Sequence, residues 1–208
     1  MRAYIFDLDG TLVDSYPVMV AGVAQVCREF GLQMPEREIY DRLIADSLSA
    51  FLSQMANGLG RPLEEIRDRY AAVSGRRLQD IRLMKNAAEM LECLRQRGAG
   101  LYVYTHRGRT TETLLKRHGI ASYFEEAVTS LYRFPRKPAP DGIGYLLARY
   151  HLDRQKTAYV GDRTIDMDCA ARAGVEGILY LPPESPCRPN GAEKRIIRDL
   201  LEIPGPAT

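Results

Sequence analysis

The sequence predicts an α/β protein: a Rossmann-like, doubly wound parallel sheet with an all-helical block inserted after its first strand. Three observations carry this prediction. Short apolar, β-rich runs recur at positions 4–6, 100–104, 127–128, 157–160 and 177–181. Helical patterns alternate with them, as parallel βαβ units require. One long stretch, from Ser15 to about Leu83, carries helical patterns and no strand signal.

Each element has a local reason. The strand runs, GLYVY and TAYV among them, are continuously apolar, which suits a sheet covered on both faces. A helix expected over 87–97 places Ala88, Leu91 and Leu94 on one stripe and meets Gly98 as its C-cap. Helices expected over 110–118 and 166–173 stop at Gly119 and Gly174, and 140–150 reads similarly. A last helix is expected near 192–201, before a loose tail containing Pro and Gly. In the inserted block, helical segments at 18–30, 36–44, 48–57 and 63–81 are punctuated by Gly31, Pro35, Gly58 and Pro62. The expected division is a core of residues 1–14 and 84–208 and a helical lid of residues 15–83.

Bulk properties exclude several classes. A chain of 208 residues holds one good-sized domain, or a core plus a small insert. Its 45% hydrophobic and 27% charged residues are ordinary for a soluble globular protein. A net charge of +2 gives no strong field for nucleic acid or a membrane surface, so neither is an expected partner. Cys27, Cys93, Cys169 and Cys187 form no CxxC and no zinc spacing, and read as reduced thiols. The apolar run before Asp7 is too short for a signal peptide, and no run approaches the roughly 20 residues of a membrane span. A cytoplasmic location is expected. Oligomeric state is not legible.

The first chemical signal follows the first strand directly: Phe6-Asp7-Leu8-Asp9-Gly10-Thr11-Leu12. In a parallel sheet, ligands bind beyond the carboxyl ends of the strands, so both carboxylates would face the crevice. Like charges there repel unless a cation sits between them, and magnesium suits oxygen ligands and phosphate chemistry. Gly10 permits an unusual backbone angle, and free N–H groups in such a turn can hold phosphate oxygens. The bland alternative is a solvated acidic turn.

The run DLDGTLVDS resembles the first motif of the haloacid dehalogenase superfamily, in its phosphatase branch. The resemblance implies Asp7 as nucleophile and Asp9 as general acid/base. Three further pieces arrive in the family's order, so the resemblance covers nearly the whole chain. Tyr104-Thr105-His106 places a hydroxyl at a strand terminus, where the family uses Ser or Thr to hold phosphate. The His106 backbone N–H is expected to help, while its side chain either touches substrate or packs at the loop. Lys137-Pro138-Ala139-Pro140 resembles the family's KPxP element, with Lys137 as the fixed cation that offsets carboxylates and phosphate. Gly161-Asp162-Arg163-Thr164-Ile165-Asp166 matches GDxxxD, with Asp162 as a direct metal ligand. Asp166 is expected to bind the metal, a metal-bound water or a neighbouring group.

The implied activity is Mg²⁺-dependent hydrolysis of a small phosphorylated metabolite through an aspartyl-phosphate. Asp7, Asp162 and the Asp9 carbonyl would hold the metal, with Asp166 alongside. The phosphate site comprises Asp9, Gly10, Thr105, His106 and Lys137. The inserted block resembles the small helical cap of phosphoglycolate phosphatase-like and β-phosphoglucomutase-like members. No His stands in residues 14–20, shortly after the first motif, where mutases of the family carry a cap His, which disfavours a mutase, and no Lys precedes Lys85, which disfavours a phosphonate hydrolase. Asp9 argues against a dehalogenase, whose halide leaves without a proton. Hinges are expected near 13–15 and 82–86, where Lys85-Asn86 replaces a Pro-Gly common in the family. Arg42, Asp46 and Ser47 in the block either face substrate or form a solvated turn.

Overall fold

A computed structural model describes residues 2–204. The chain divides into two compact units, Met1–Val13 with Leu83–Thr208, and Asp14–Arg82. In chain order the elements begin with strand β1 (Ala3–Phe6), the short β2 (Val13–Asp14) and helices α1 (Tyr16–Glu29), α2 (Glu36–Ala45), α3 (Leu48–Leu59) and α4 (Leu63–Gly75). They continue with β3 (Arg82–Leu83), α5 (Ala87–Gln96), β4 (Gly100–Tyr104), α6 (Thr110–Arg117) and β5 (Glu126–Val128). Helix α7 (Asp141–Arg149), β6 (Thr157–Gly161), α8 (Thr164–Ala173), β7 (Glu176–Tyr180) and β8 (Arg195–Ile197) complete the chain.

Six strands form one sheet in the order β5-β4-β1-β6-β7-β8. Its pairings are all parallel; Phe6, for example, lies beside Val103 on one side and Val160 on the other. Strand β1 is central and buried along its whole length, which explains why Ala3-Tyr4-Ile5-Phe6 shows no polar alternation. The chain runs outward from β1 through β4 to β5, then returns to the other side for β6. The direction of winding therefore reverses around β1, and the crevice beyond β4, β1 and β6 is the topological switch point. On one face Ile5, Tyr104 and Tyr159 pack with Ile143 and Leu146 of α7 and with Cys169 and Ala173 of α8.

Two expectations fail locally. The helix expected near 192–201 is instead β8, paired through Leu179 and Ile196, followed by a 3₁₀ turn over Leu200–Glu202. Ile196, Ile197, Leu200 and Leu201 mimic helical spacing, but β7 is an edge strand until β8 pairs with it. Helix α4 ends at Gly75 rather than near 81, and a 3₁₀ turn at Leu78–Asp80 leads into β3. The tail expected to be loose includes residues 205–208, which lie outside the described residues.

The two crossings between the units are short strands: β2 and β3 pair as a two-stranded ribbon. Beyond it, Met84 N–H donates to the Leu12 carbonyl at 2.9 Å. Asn86 then adopts a left-handed φ of +63°, a conformation that asparagine tolerates better than most residues. Its amide donates to both Asp199 oxygens at 2.9 and 2.8 Å.

The helical unit has its own core, with Val23 and Cys27 of α1, Ile39 and Leu43 of α2, Phe51 and Leu52 of α3 and Ile66 of α4 buried together. Glu29 and Arg69 pair across α1 and α4. Among the described residues, no helix is long and apolar enough to cross a membrane.

Candidate active site

Strand β1 delivers Asp7 to the carboxyl edge of the sheet. Its N–H continues the ladder to the Val160 carbonyl at 2.8 Å, so the backbone is fixed up to the carboxylate. The chain then folds back sharply: the N–H groups of Leu12 and Val13 both donate to the Leu8 carbonyl, at 2.9 and 3.0 Å. Gly10 has φ +77°, which a side chain would strain, and its N–H donates to the Val13 carbonyl at 2.9 Å. Leu8 and Leu12 are fully buried and anchor the loop from below, while Asp9 is partly exposed above it.

Lys137 is the buried cation of this edge. Its Nζ lies 3.1 Å from Asp7 Oδ1 and 2.8 Å from Asp166 Oδ1. The same ammonium sits 5.2 Å from the ring centres of Tyr104 and Tyr159, a cation–π environment that tolerates the charge. Burial alone would push the ammonium toward neutrality. Asp166 and Asp7 outweigh it and hold the pKa above its ordinary value.

Asp162 follows β6 directly and Asp166 stands in the first turn of α8. Asp162 Oδ1 accepts from the Thr11 hydroxyl at 3.3 Å. Asp166 accepts from Lys137 Nζ, from the Tyr159 hydroxyl at 3.1 Å and from the Arg163 N–H at 3.2 Å. The last bond is half of a capping box, the local reason an acid suits the first turn of α8. Burial opposes its charge, but Lys137 and Arg163 hold the Asp166 carboxyl below its usual range. Gly161 is required by this packing, because a Cβ there would lie 2.4 Å from Asp166 Cβ.

The loop after β4 carries Thr105, His106 and Arg107. Thr105 is buried; its N–H donates to the Val128 carbonyl at 3.0 Å and its hydroxyl accepts from the Arg107 N–H at 3.1 Å. The His106 side chain packs at the loop: Nε2 accepts from the Lys137 N–H at 2.9 Å. Burial, with Lys137, Arg136 and Arg163 nearby, pushes His106 down to about 3, so the ring is a neutral acceptor. Its ring thus fixes the backbone of the lysine that serves the carboxylates.

The carboxylates of Asp7, Asp162 and Asp166 each offer an oxygen within 4.8 Å of the others, and all three residues are buried. Among the described residues Lys137 supplies the buried ammonium of this cluster, and the Arg163 charge also acts on Asp7 and Asp166. Burial, the largest cause, together with Asp166 raises the Asp7 carboxyl to about 6 although Lys137 pulls it down. An all-oxygen donor set of three buried carboxylates fits a hard divalent cation such as Mg²⁺.

Two contributors were not singled out from sequence. Arg107 grips the Asp9 carboxylate, and Tyr159 bridges Asp166 to the Tyr104 carbonyl, 3.2 Å away. The signal for Arg107 was its place next to Thr105 and His106; for Tyr159, a tyrosine inside a buried strand whose hydroxyl needs a partner. In the helical unit, Arg42 stacks over Phe51, 4.5 Å from the ring centre. Ser47 caps α3 by accepting from Ala50 N–H at 3.1 Å, and Asp46 is exposed.

A family model for haloacid dehalogenase-like hydrolases matches residues 4–180. A phosphoglycolate phosphatase of Haemophilus influenzae is 30% identical over 188 residues, covering 84% of each chain. The tyrosine-protein kinase PtkA of Mycobacterium tuberculosis is 30% identical over 177 residues, covering 84% of this chain. This chain spans 60% of the length of that kinase. Among solved structures, a predicted phosphoglycolate phosphatase from Haemophilus somnus superposes with a TM-score of 0.82 at 24% identity, covering 98% of this chain and 96% of its own, a likeness of fold.

Proposed function

This chain belongs to the haloacid dehalogenase-like hydrolase family, and from that premise we propose that it is a Mg²⁺-dependent phosphatase acting on a small phosphomonoester. The observation that carries the reading is the convergence of buried Asp7, Asp162 and Asp166 at the switch point of the sheet, with the Lys137 ammonium paired to Asp7 and Asp166. The likeness to phosphoglycolate phosphatases supports the same chemistry.

In this reading Asp7 attacks phosphorus and the ester oxygen departs with a proton from Asp9. Water then attacks the aspartyl-phosphate, Asp9 takes its proton, and Asp7 is released. Lys137, the Thr105 hydroxyl and the N–H groups of the Gly10 and His106 loops hold the phosphate oxygens. Asp7, Asp162 and the Asp9 carbonyl would hold Mg²⁺, with Asp166 completing the oxygen cluster and orienting Lys137. When bound, the cation supplies Lewis-acid neutralisation of the transferring group. The test is phosphate release from p-nitrophenyl phosphate and a panel of phosphorylated metabolites. Release that depends on Mg²⁺ and on Asp7 supports the reading, and its absence across metals and pH contradicts it.

The similarity to PtkA favours one second reading, in which a hydroxyl replaces water as acceptor. Incubation with Mg²⁺ and ATP followed by mass spectrometry separates the two: phosphotyrosine on the chain would indicate transfer.

A further inference from the structure

Arg107 and Asp9 are locked together at the carboxyl edge of the sheet. Arg107 Nε lies 3.0 and 3.1 Å from Asp9 Oδ1 and Oδ2, and Nη2 lies 2.6 Å from Oδ1. Nη1 donates to the Thr110 hydroxyl at 3.1 Å, in the first turn of α6. The Arg107 backbone is tied at both ends, its N–H to the Thr105 hydroxyl and its carbonyl to the Ser130 N–H at 3.2 Å. The guanidinium is therefore based on fixed backbone but hangs at the end of a flexible stem.

This pair differs from the other ion pairs of the edge. The Lys137 and Asp166 side chains are 1% and 0% exposed, whereas those of Arg107 and Asp9 are 14% and 18% exposed. A partly solvated pair can exchange partners at far lower cost than a sealed one. Exchange is also favoured. To act as an acid toward the ester oxygen Asp9 must carry a proton, and a neutral carboxyl no longer holds the guanidinium as an ion pair. A neutral leaving group offers the guanidinium no charge in return. A leaving group with its own oxyanion replaces the lost partner, in the planar two-point geometry arginine favours.

We propose that Arg107 moves from Asp9 to a second oxyanion on the leaving group, so that the substrate class is a small phosphomonoester carrying a further carboxylate or phosphate. This inference rests on the phosphatase reading and sharpens it: Arg107 becomes a specificity-determining residue. The surrounding charge agrees, since Arg136 and Arg163 lie near enough to join Lys137 in suppressing protonation of His106.

The test compares size-matched esters: 2-phosphoglycolate, its carboxamide analogue and ethylene glycol bisphosphate. Mg²⁺-dependent kcat/KM is measured for the wild type, Arg107→Gln and Arg107→Lys. The wild type should favour an acidic ester over the amide by roughly tenfold to a hundredfold, the range of a charge-assisted pair. Which acidic ester leads separates carboxylate from phosphate recognition. Arg107→Gln should bring the acid-to-amide ratio close to one, and Arg107→Lys should keep part of it. A wild type without preference, or a glutamine variant that slows acid and amide esters by the same factor, overturns the inference and leaves the phosphatase reading standing. Should no ester be hydrolysed, that reading fails, and Arg107 is judged by calorimetric binding of the same esters. Equal affinity for acid and amide, or an anion preference that survives Arg107→Gln, then overturns it.

Discussion

The Lys137 ammonium lies 2.8 Å from Asp166 Oδ1 with both side chains sealed from solvent. Such a pair is tolerable only while both charges are present. Asp166→Ala would strand a buried ammonium between two tyrosine rings, with Asp7 as its remaining acid. The expected cost is about 3–5 kcal/mol, the penalty for breaking a buried pair from one side. Urea denaturation followed by circular dichroism measures it, and a loss below about 1 kcal/mol would show that Lys137 is not held this way. Asp166→Asn keeps the shape and should cost less.

Asp7→Asn should lower phosphate release by more than about a thousandfold without loss of structure. Its effect on stability has the opposite sign. The Asp7 carboxyl is raised to about 6, so its charged form is disfavoured in the fold. A raised folded value contributes stability below the unfolded value and loses it as pH climbs through about 6. In metal-free buffer at pH 7.5 the asparagine variant should therefore melt at or above the wild-type temperature. A variant that melts well below the wild type would contradict this account of the carboxylate cluster.

Magnesium should reverse that order. A cation that binds only the folded chain raises its melting temperature in proportion to the logarithm of concentration. The wild type, stripped with EDTA and titrated with Mg²⁺, should show such a rise. Asp7→Asn and Asp162→Asn should show little of it. An equal response in all three proteins would place the cation elsewhere.

His106 gives a pH signature of its own. It accepts a hydrogen bond from the Lys137 N–H, and its folded pKa is about 3, far below the ordinary imidazole value. The unfolded chain thus binds one more proton than the folded chain between roughly pH 6.5 and the folded value. Stability from this residue is complete above that window and is lost as pH falls through it, at up to about 1.4 kcal/mol per pH unit. His106→Gln keeps an acceptor but does not titrate. The stability difference between wild type and variant should therefore shift in favour of the variant between pH 6.5 and 4. A difference that stays flat would mean the ring is not buried as a neutral acceptor.

Much of this is legible in the sequence, and what is not legible has a physical pattern. Strands β1, β4 and β6 announce themselves because burial on both faces leaves them apolar throughout. Asp7, Thr105 and Asp162 follow those strands, so a parallel sheet brings them to one edge whatever their separation in sequence. Strand β8 reads as helix in the sequence because it is three residues long, too short to show alternation, with a helical spacing of leucines and isoleucines around it. Contacts that depend on where a long side chain turns were also hidden. Arg107 and Asp9 are 98 residues apart, and His106 meets a backbone N–H 31 residues away. Nothing in residue type or spacing tells Arg107 to reach for Asp9.

Asn86 shows how a departure from a family pattern is accommodated. It stands where the resemblance leads one to expect the glycine of a Pro-Gly hinge, and it takes the positive φ that glycine would take freely. What it adds is a pair of hydrogen bonds to the Asp199 carboxylate, which lies just before the closing 3₁₀ turn and is held below its ordinary pKa first by that asparagine and then by the Leu201 N–H. Asn86→Ala should lose both benefits: a Cβ-bearing residue poorly suited to φ +63° costs about 1 kcal/mol, and loss of a bond to a charged group about 1.5–3 kcal/mol more. Asn86→Gly relieves the backbone and loses only the bonds, so it should fall between wild type and alanine. Denaturation midpoints of the three proteins decide it. Glycine at or above wild type would show that the Asn86–Asp199 contact contributes nothing, and glycine equal to alanine would show that the left-handed turn carries no strain.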